Sequence, residues 1–261
     1  MPVKQPDFPH ATPLKPRTRA LIIGASSGMG AVLAKRLARE GYDLALIARR
    51  EDLLSSVCDE INQKDKGRAR YYVHNVRDYS IVPDLLRRIV SDLGGLDLVI
   101  YAAGVNFAPQ WSEYNTENDH QMIEVNLMGA FTWLNPIAAM FQSAKAGQIV
   151  GISSVAGERG RVGNPGYNAS KAGLTSYLES LRNRLARHGV NVLTVKAGFV
   201  QTDMLSAAQK VMFPITAEKA ADDIWKAIHT RKQEIYTPWF WRWIMFIIRN
   251  IPSVLFRRLS I

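Results

Sequence analysis

Four side chains carry the chemistry open to this sequence: Asn126, Ser154, Tyr167 and Lys171. The run Tyr167-Asn168-Ala169-Ser170-Lys171 opens a helical stretch, so a phenol and an ammonium lie four residues apart on one face. A phenol titrates near ~10 in water, and a fixed cation beside it favours the phenolate, bringing proton exchange closer to neutral pH. Lys171 supplies that charge in this reading and is also placed to hold a ribose. Ser154 follows a strand-like run, where a hydroxyl can polarise a substrate oxygen. Asn126 sits inside a helical stretch, an ordinary place for an amide only if it has a task, such as holding a water that relays protons to Lys171. A Tyr and a Lys four apart usually mean a packed aromatic and a solvated charge. Order and distance decide otherwise here, because Tyr167 comes thirteen residues after Ser154 and follows a phosphate cradle, a basic strand end and the amide.

The elements that must position these groups are legible as alternating periods. Short apolar runs at 20–23, 43–47, 69–74, 96–101, 147–152, 191–196 and 234–237 read as seven buried strands. Helical stretches at 30–40, 80–93, 117–144, 168–188 and 217–230 separate them, with Pro136 expected to kink or break the third. Strand and helix in alternation predict an α/β fold, a doubly wound parallel sheet of seven strands flanked by helices.

The first strand runs straight into Gly24-Ala25-Ser26-Ser27-Gly28-Met29-Gly30, where a helix begins. Glycines let a backbone approach a pyrophosphate, and a helix N-terminus offers it unpaired N–H groups and positive dipole. The second strand ends in Arg49-Arg50, at the place where an acidic side chain would bind the ribose hydroxyls of NAD. A guanidinium pairs bidentately with a 2′-phosphate, so Arg49, with Arg50 as the weaker candidate, predicts NADP(H).

Composition sets the limits. Hydrophobic residues make up 47% and charged residues 21%, enough to bury a full core. The lone Cys58 has no partner for an internal disulfide or a Cys-x-x-Cys metal site, so a reducing, cytoplasmic setting and no metal are expected. The net charge of +10 is concentrated at the ends, with +3 in residues 1–19 and +6 in 224–261. The electrically ordinary middle argues against a nucleic-acid partner.

With these motifs in hand, the chain resembles the short-chain dehydrogenase/reductase family over about residues 17–238. The resemblance rests on Gly24, Gly28 and Gly30, on Ala103-Gly104 after the fourth strand, on the four residues above, and on Gly198-Phe199-Val200-Gln201-Thr202 after the sixth strand. It implies a Rossmann-type domain and hydride transfer between a nicotinamide and a carbonyl or alcohol carbon, with Tyr167 exchanging the oxygen's proton. It further implies cofactor contacts from Ser26, Ser27, Met29, Asn75, Val76, Ala103, Gly104, Tyr167, Lys171 and Gly198, with Val200 and Thr202 at the carboxamide. Family habit implies a homodimer or homotetramer. The chain departs from the family pattern at Ile23 for Thr, Asn75 for Asp, Tyr101-Ala102 for an Asn pair and Ala197 for Pro. Losing the second Asn removes a side chain expected to brace the central sheet.

Two end segments stand outside this domain. Residues 1–16 read as an extended Pro-rich arm, and 239–261 as an aromatic, basic tail. Spanning a bilayer takes ~20 nearly uninterrupted apolar residues, and Arg242, Arg249, Pro252 and Arg257 interrupt this run. A helical projection puts Arg242, Arg249 and Ser253 on one stripe, the pattern of a helix lying in a lipid interface at the inner face of a membrane. Packing on the parent domain, on a sister subunit or over the site's mouth are the alternatives. Together with the apolar segment 203–215, the tail suggests a hydrophobic, lipid-like substrate. The rival to an enzyme is a non-catalytic NADP(H)-binding sensor or scaffold docked through the tail.

Overall fold

The computed structural model describes residues 18–64, 68–107, 109–110, 112–207 and 211–259; the expected arm at 1–16 lies outside them. Strands β1 (Arg19–Ile23), β2 (Asp43–Ala48), β3 (Ala69–Val73), β4 (Leu98–Tyr101), β5 (Gln148–Ser154), β6 (Asn191–Ala197) and β9 (Glu234–Thr237) form one sheet in the order β3-β2-β1-β4-β5-β6-β9. Every pairing is parallel. A parallel sheet must be covered on both faces, which is why its central strands are rich in Val, Ile, Leu and Ala; the edge strands β3 and β9, expected to be buried, instead leave part of their residues exposed, because each has a neighbour on one side only.

One face is covered by α1 (Gly28–Arg39), α2 (Glu51–Lys64) and α7 (Ala217–His229), which bury Leu33, Leu37, Leu54, Ile61 and Ile224. The other is covered by α3 (Val82–Leu93), α5 (Gly129–Ala144) and α6 (Pro165–Leu185), which bury Leu86, Ile89, Trp133, Leu174 and Leu178. At the far edge the buried Arg19 side chain pairs with Asp97 at 2.8 Å and 3.1 Å, locking the start of β1 to the approach to β4. Arg19 therefore belongs to the sheet, although the charge pattern groups it with the arm.

The strand order reverses between β1 and β4, so a crevice opens outside the carboxyl ends of these strands. The seven strands lie where the apolar runs place them, within two residues at each end except the last run, which matches at both. Two helical expectations change. Helix α2 has no counterpart in the sequence reading, although Leu54, Val57, Cys58 and Ile61 form its buried stripe. The stretch 117–144 is α4 (Thr116–Ile123), a π-helical turn at Glu124–Met128, and then α5, which continues through Pro136. A proline inside a helix costs about 3 kcal/mol, and the burial of Trp133, Leu134, Ile137 and Phe141 on both sides of it outweighs that loss.

Candidate active site

The loop after β1 is built around close backbone approach. Gly24 holds φ at +94°, and a Cβ there would lie 2.4 Å from the Ala103 nitrogen. A Cβ on Gly30 would lie 2.0 Å from the Gly24 carbonyl oxygen. These glycines let the cradle fold onto the start of α1 and onto the loop after β4, leaving the helix N-terminus open at Ser26 and Ser27. Across the crevice, a Cβ on Gly28 would touch Thr202 at 3.4 Å, so the loops after β1 and β6 face one another. Arg49 and Arg50 are both exposed at the end of β2, and it is Arg50, the weaker candidate by sequence, that reaches the cradle. Its guanidinium donates to the Ser27 hydroxyl at 2.6 Å and to Ser26 at 3.2 Å. Asn75 is exposed, accepting from the Arg77 N–H at 3.2 Å, and Val76 is buried against Gly129. Met29 is half-buried at the root of α1.

Strand β5 runs through Ser153 to Ser154, both of which the sequence places beyond its end. The Ser154 hydroxyl accepts from the Ala156 N–H at 3.1 Å and donates to the Ala197 carbonyl at 3.3 Å, and it lies close enough to the Tyr167 phenol to favour the phenolate. Tyr167 enters from the first turn of α6, which Asn164 caps by accepting the Tyr167 N–H at 3.1 Å. The same Asn164 amide donates to the Phe107 carbonyl at 2.9 Å, tying the helix start to the loop after β4. Sequence reading passed over Asn164, although an Asn directly before a Pro at a helix start is a recognisable cap signal.

Lys171 is buried, and its ammonium donates to the Ile152 carbonyl at 2.9 Å, with the Tyr167 ring centroid 5.8 Å away. Burial lowers its pKa to about 8. Burial raises the Tyr167 phenol above its ordinary pKa, and the groups that pull it back are the Ser154 hydroxyl and the Arg161 guanidinium. Arg161 is thus a further cation that favours the phenolate, alongside Lys171, whose ammonium lies 5.8 Å from the ring centroid. Arg161 lies in the loop before α6, held there by Asn168, whose amide donates to the Arg161 carbonyl at 3.2 Å. Sequence spacing gave it no signal, because its approach to the phenol is made by the loop.

Asn126 lies in the π-helical turn, fully buried. Its amide donates to the Val105 carbonyl at 3.0 Å and to the Ser170 hydroxyl at 2.9 Å, and its oxygen accepts the Val105 N–H at 2.8 Å. Both amide protons are therefore committed to bracing the loop after β4 against α6. A Cβ on Gly104 would lie 3.3 Å from the Asn126 oxygen, 3.4 Å from the Lys171 nitrogen and 3.9 Å from the Met204 methyl. Gly104 thus keeps a small space bounded by an amide, an ammonium and a thioether. Met204 sits in the short helical turn Asp203–Ala207 after β7 (Val200–Gln201), which pairs with β8 (Ile215–Thr216).

The missing brace at position 102 has a visible substitute. Tyr101 is fully buried and its hydroxyl donates to the Val125 carbonyl at 2.5 Å, linking β4 to the π-helical turn. A Cβ on Gly129 would lie 2.4 Å from that hydroxyl, so the glycine makes room for it.

Gly198 also makes room for the tail. A Cβ on Gly198 would lie 2.2 Å from the indole nitrogen of Trp241, so this glycine admits α8 (Trp241–Asn250) to the end of the sheet. Of the alternatives for 239–261, packing on the parent domain holds for one face of α8: Trp241 and Met245 are buried with Val155 and Phe199. Beneath them the buried Glu158 accepts from Lys196 at 2.7 Å and from the Tyr236 hydroxyl at 2.6 Å. Among the described residues no helix is long and apolar enough to cross a membrane.

A doubly wound parallel sheet with a glycine cradle after β1, and a serine and a tyrosine meeting at the end of β5, defines a nucleotide-linked oxidoreductase class. The comparisons place the chain within it: residues 18–212 match the short chain dehydrogenase family, and the protein belongs to that family. An uncharacterised oxidoreductase of Mycobacterium tuberculosis is 31% identical over 94% of this chain and 98% of its own. A 3-oxoacyl-[acyl-carrier-protein] reductase of Staphylococcus aureus is 32% identical over 74% of this chain and 79% of its own. Among solved structures, a variant of actinorhodin polyketide ketoreductase with NADPH superposes with a TM-score of 0.74 at 25% identity, covering 83% of this chain and 92% of its own.

Proposed function

We propose that this chain is an NADP(H)-dependent reductase or dehydrogenase that interconverts a carbonyl and an alcohol on a hydrophobic substrate, with Tyr167 as the acid/base. The observation that carries this reading is the approach of Ser154 and Tyr167 to one another at the carboxyl edge of the sheet, beside the space that Gly104 leaves next to Lys171. The residues present fit the cofactor. The cradle has no room for side chains at Gly24 or Gly30, and Arg50 beside Ser26 and Ser27 offers a guanidinium where a 2′-phosphate would sit. NADPH, when bound, supplies the hydride. The ketoreductase that this chain resembles carries NADPH, which supports the same choice here.

The chain's own groups handle the proton. In the reductive direction Tyr167 Oη gives its proton to the substrate oxygen, while the Ser154 hydroxyl holds that oxygen in place. Arg161 stabilises the phenolate left behind, and Lys171, held by the Ile152 carbonyl, keeps a positive charge at the floor of the space under Gly104. Asn126 holds the Val105 loop so that this space does not collapse. The Met204 thioether above it favours an apolar substrate, in keeping with the reductase relative named for a 3-oxoacyl group.

The test is Tyr167→Phe. Turnover of NADPH with a ketone panel graded by chain length should fall by about two to four orders of magnitude, while the fluorescence change on NADPH binding persists. Undiminished turnover removes Tyr167 from the reaction. NADH serving as well as NADPH overturns the cofactor assignment.

A further inference from the structure

Helix α8 is apolar on two opposite faces. One face, Trp241, Ile244, Met245 and Ile248, is packed on the domain. The other carries Trp243, Phe246 and Ile247, which are 60%, 62% and 65% exposed. Arg242 and Arg249 fall between the two faces, so the arginine stripe marks a rim and the outermost surface of the helix is apolar. The surface continues beyond α8. Trp239 is 71% exposed and meets Phe240 edge-on, and Phe240 in turn meets Phe213 of the segment that follows the Met204 turn. On the other side, α9 (Ser253–Phe256) adds the exposed Val254 and Leu255. An apolar surface of this extent, rimmed by charge, is a contact site.

Charge decides what it contacts. From residue 235 to 261 the sequence holds four arginines, Arg242, Arg249, Arg257 and Arg258, and no acidic residue. A second copy of this surface would bring the same cations against them, whereas an anionic lipid surface is complementary to Arg242, Arg257 and Arg258, with Arg249 paired to Glu158 at 3.6 Å. Exposed tryptophans and arginines on one short helix also match the chemistry of the headgroup layer. We propose that the outer face of α8 and α9 docks on the surface of an anionic bilayer, lying in the headgroup layer without crossing it. The buried anchors Trp241 and Met245 hold this face in fixed orientation, with Phe213 bringing the edge of the candidate site to the same surface. The docking does not depend on the chemistry assigned to Tyr167.

The experiment is co-sedimentation of the full chain with vesicles of phosphatidylcholine alone, or of phosphatidylcholine and phosphatidylglycerol in equal parts. Binding to the anionic vesicles, weakening with salt and absent on the neutral ones, is the expected result. The triple variant Trp243→Ser, Phe246→Ser, Ile247→Ser alters exposed side chains only, and should lose binding with unchanged thermal melting and NADPH binding. Arg242→Ser and Arg257→Ser should each weaken binding by about five-fold. Failure to bind anionic vesicles overturns the proposal, as does equal binding by the triple variant, which would assign the attraction to the rest of this basic chain. A wild-type dimer that the triple variant converts to monomer also overturns it, because the face would then belong to a second copy.

Discussion

The phenol of Tyr167 is set between opposing influences. Burial favours its neutral form, and the Ser154 hydroxyl and Arg161 guanidinium favour the phenolate. Removing the guanidinium in Arg161→Met leaves burial less opposed, so the phenol's pKa rises further. Reduction requires the protonated phenol, and its rate falls as pH rises through that pKa. The alkaline limb of kcat/KM for ketone reduction should therefore move to higher pH in the variant; a limb that stays in place assigns it to another group. Lys171 makes a separate, oppositely signed statement about stability. Its pKa is about 8 in the fold, lowered by burial from 10.5, so between these values the unfolded chain holds the proton and the folded chain has lost it. Stability from this group thus rises with pH across that window. Urea unfolding of wild type and Lys171→Met should show a difference that grows in favour of wild type between pH 8 and 10.5. The sequence made Tyr167, Lys171 and Ser154 visible because helical spacing and a strand end are local properties. Arg161 stayed hidden because it reaches the phenol through a loop whose path is fixed by Asn168.

Elements bring in constraints that no single residue reveals. The π-helical turn at Glu124–Met128 gives up regular helical bonding, and its carbonyls are taken up from outside, Tyr101 donating to that of Val125 and Tyr79 to that of Glu124, while the turn's Asn126 side chain clasps both backbone groups of Val105 in the loop after β4. A period of 3.6 in the sequence shows a helix over 117–144 but carries no sign of an extra residue in one turn, which tertiary partners stabilise. Tyr101→Phe tests this arrangement. It leaves the Val125 carbonyl buried without that donor and should cost about 1–3 kcal/mol in urea unfolding, together with a fall in kcat as the Asn126 loop loosens. An unchanged midpoint would mean that the turn holds without the hydroxyl. Helix α2 is the opposite case, since its buried stripe of Leu54, Val57, Cys58 and Ile61 was there to be read in the sequence.

At the scale of the whole molecule, the sheet was legible almost strand for strand, because burial on both faces writes a nearly unbroken apolar run into the central strands, while the edge strands β3 and β9 keep only part of that signal. The relation of the tail to the sheet was not, because a helix that is greasy on all sides gives no hint of which side packs. The structure resolves it through Gly198, whose missing side chain admits the Trp241 indole, and through the buried Glu158, Lys196 and Tyr236 below. Although burial pulls its ammonium down, hydrogen bonds to Glu158 and Glu234 hold Lys196 above its ordinary pKa, so it keeps its charge beneath the apolar face of α8. Trp241→Ala opens a cavity over this cluster and should cost about 3–5 kcal/mol, the range for truncating a buried tryptophan. The loss should reach the chemistry as well, since Val155, next to Ser154, packs directly on Trp241 and Met245. The informative measurement is kcat for ketone reduction well below the variant's melting temperature, compared with that of the Trp243→Ser, Phe246→Ser, Ile247→Ser chain. A fall confined to Trp241→Ala makes the inner face of α8 a support for the Ser154 loop; equal kcat in both makes it a stabilising cover and nothing more.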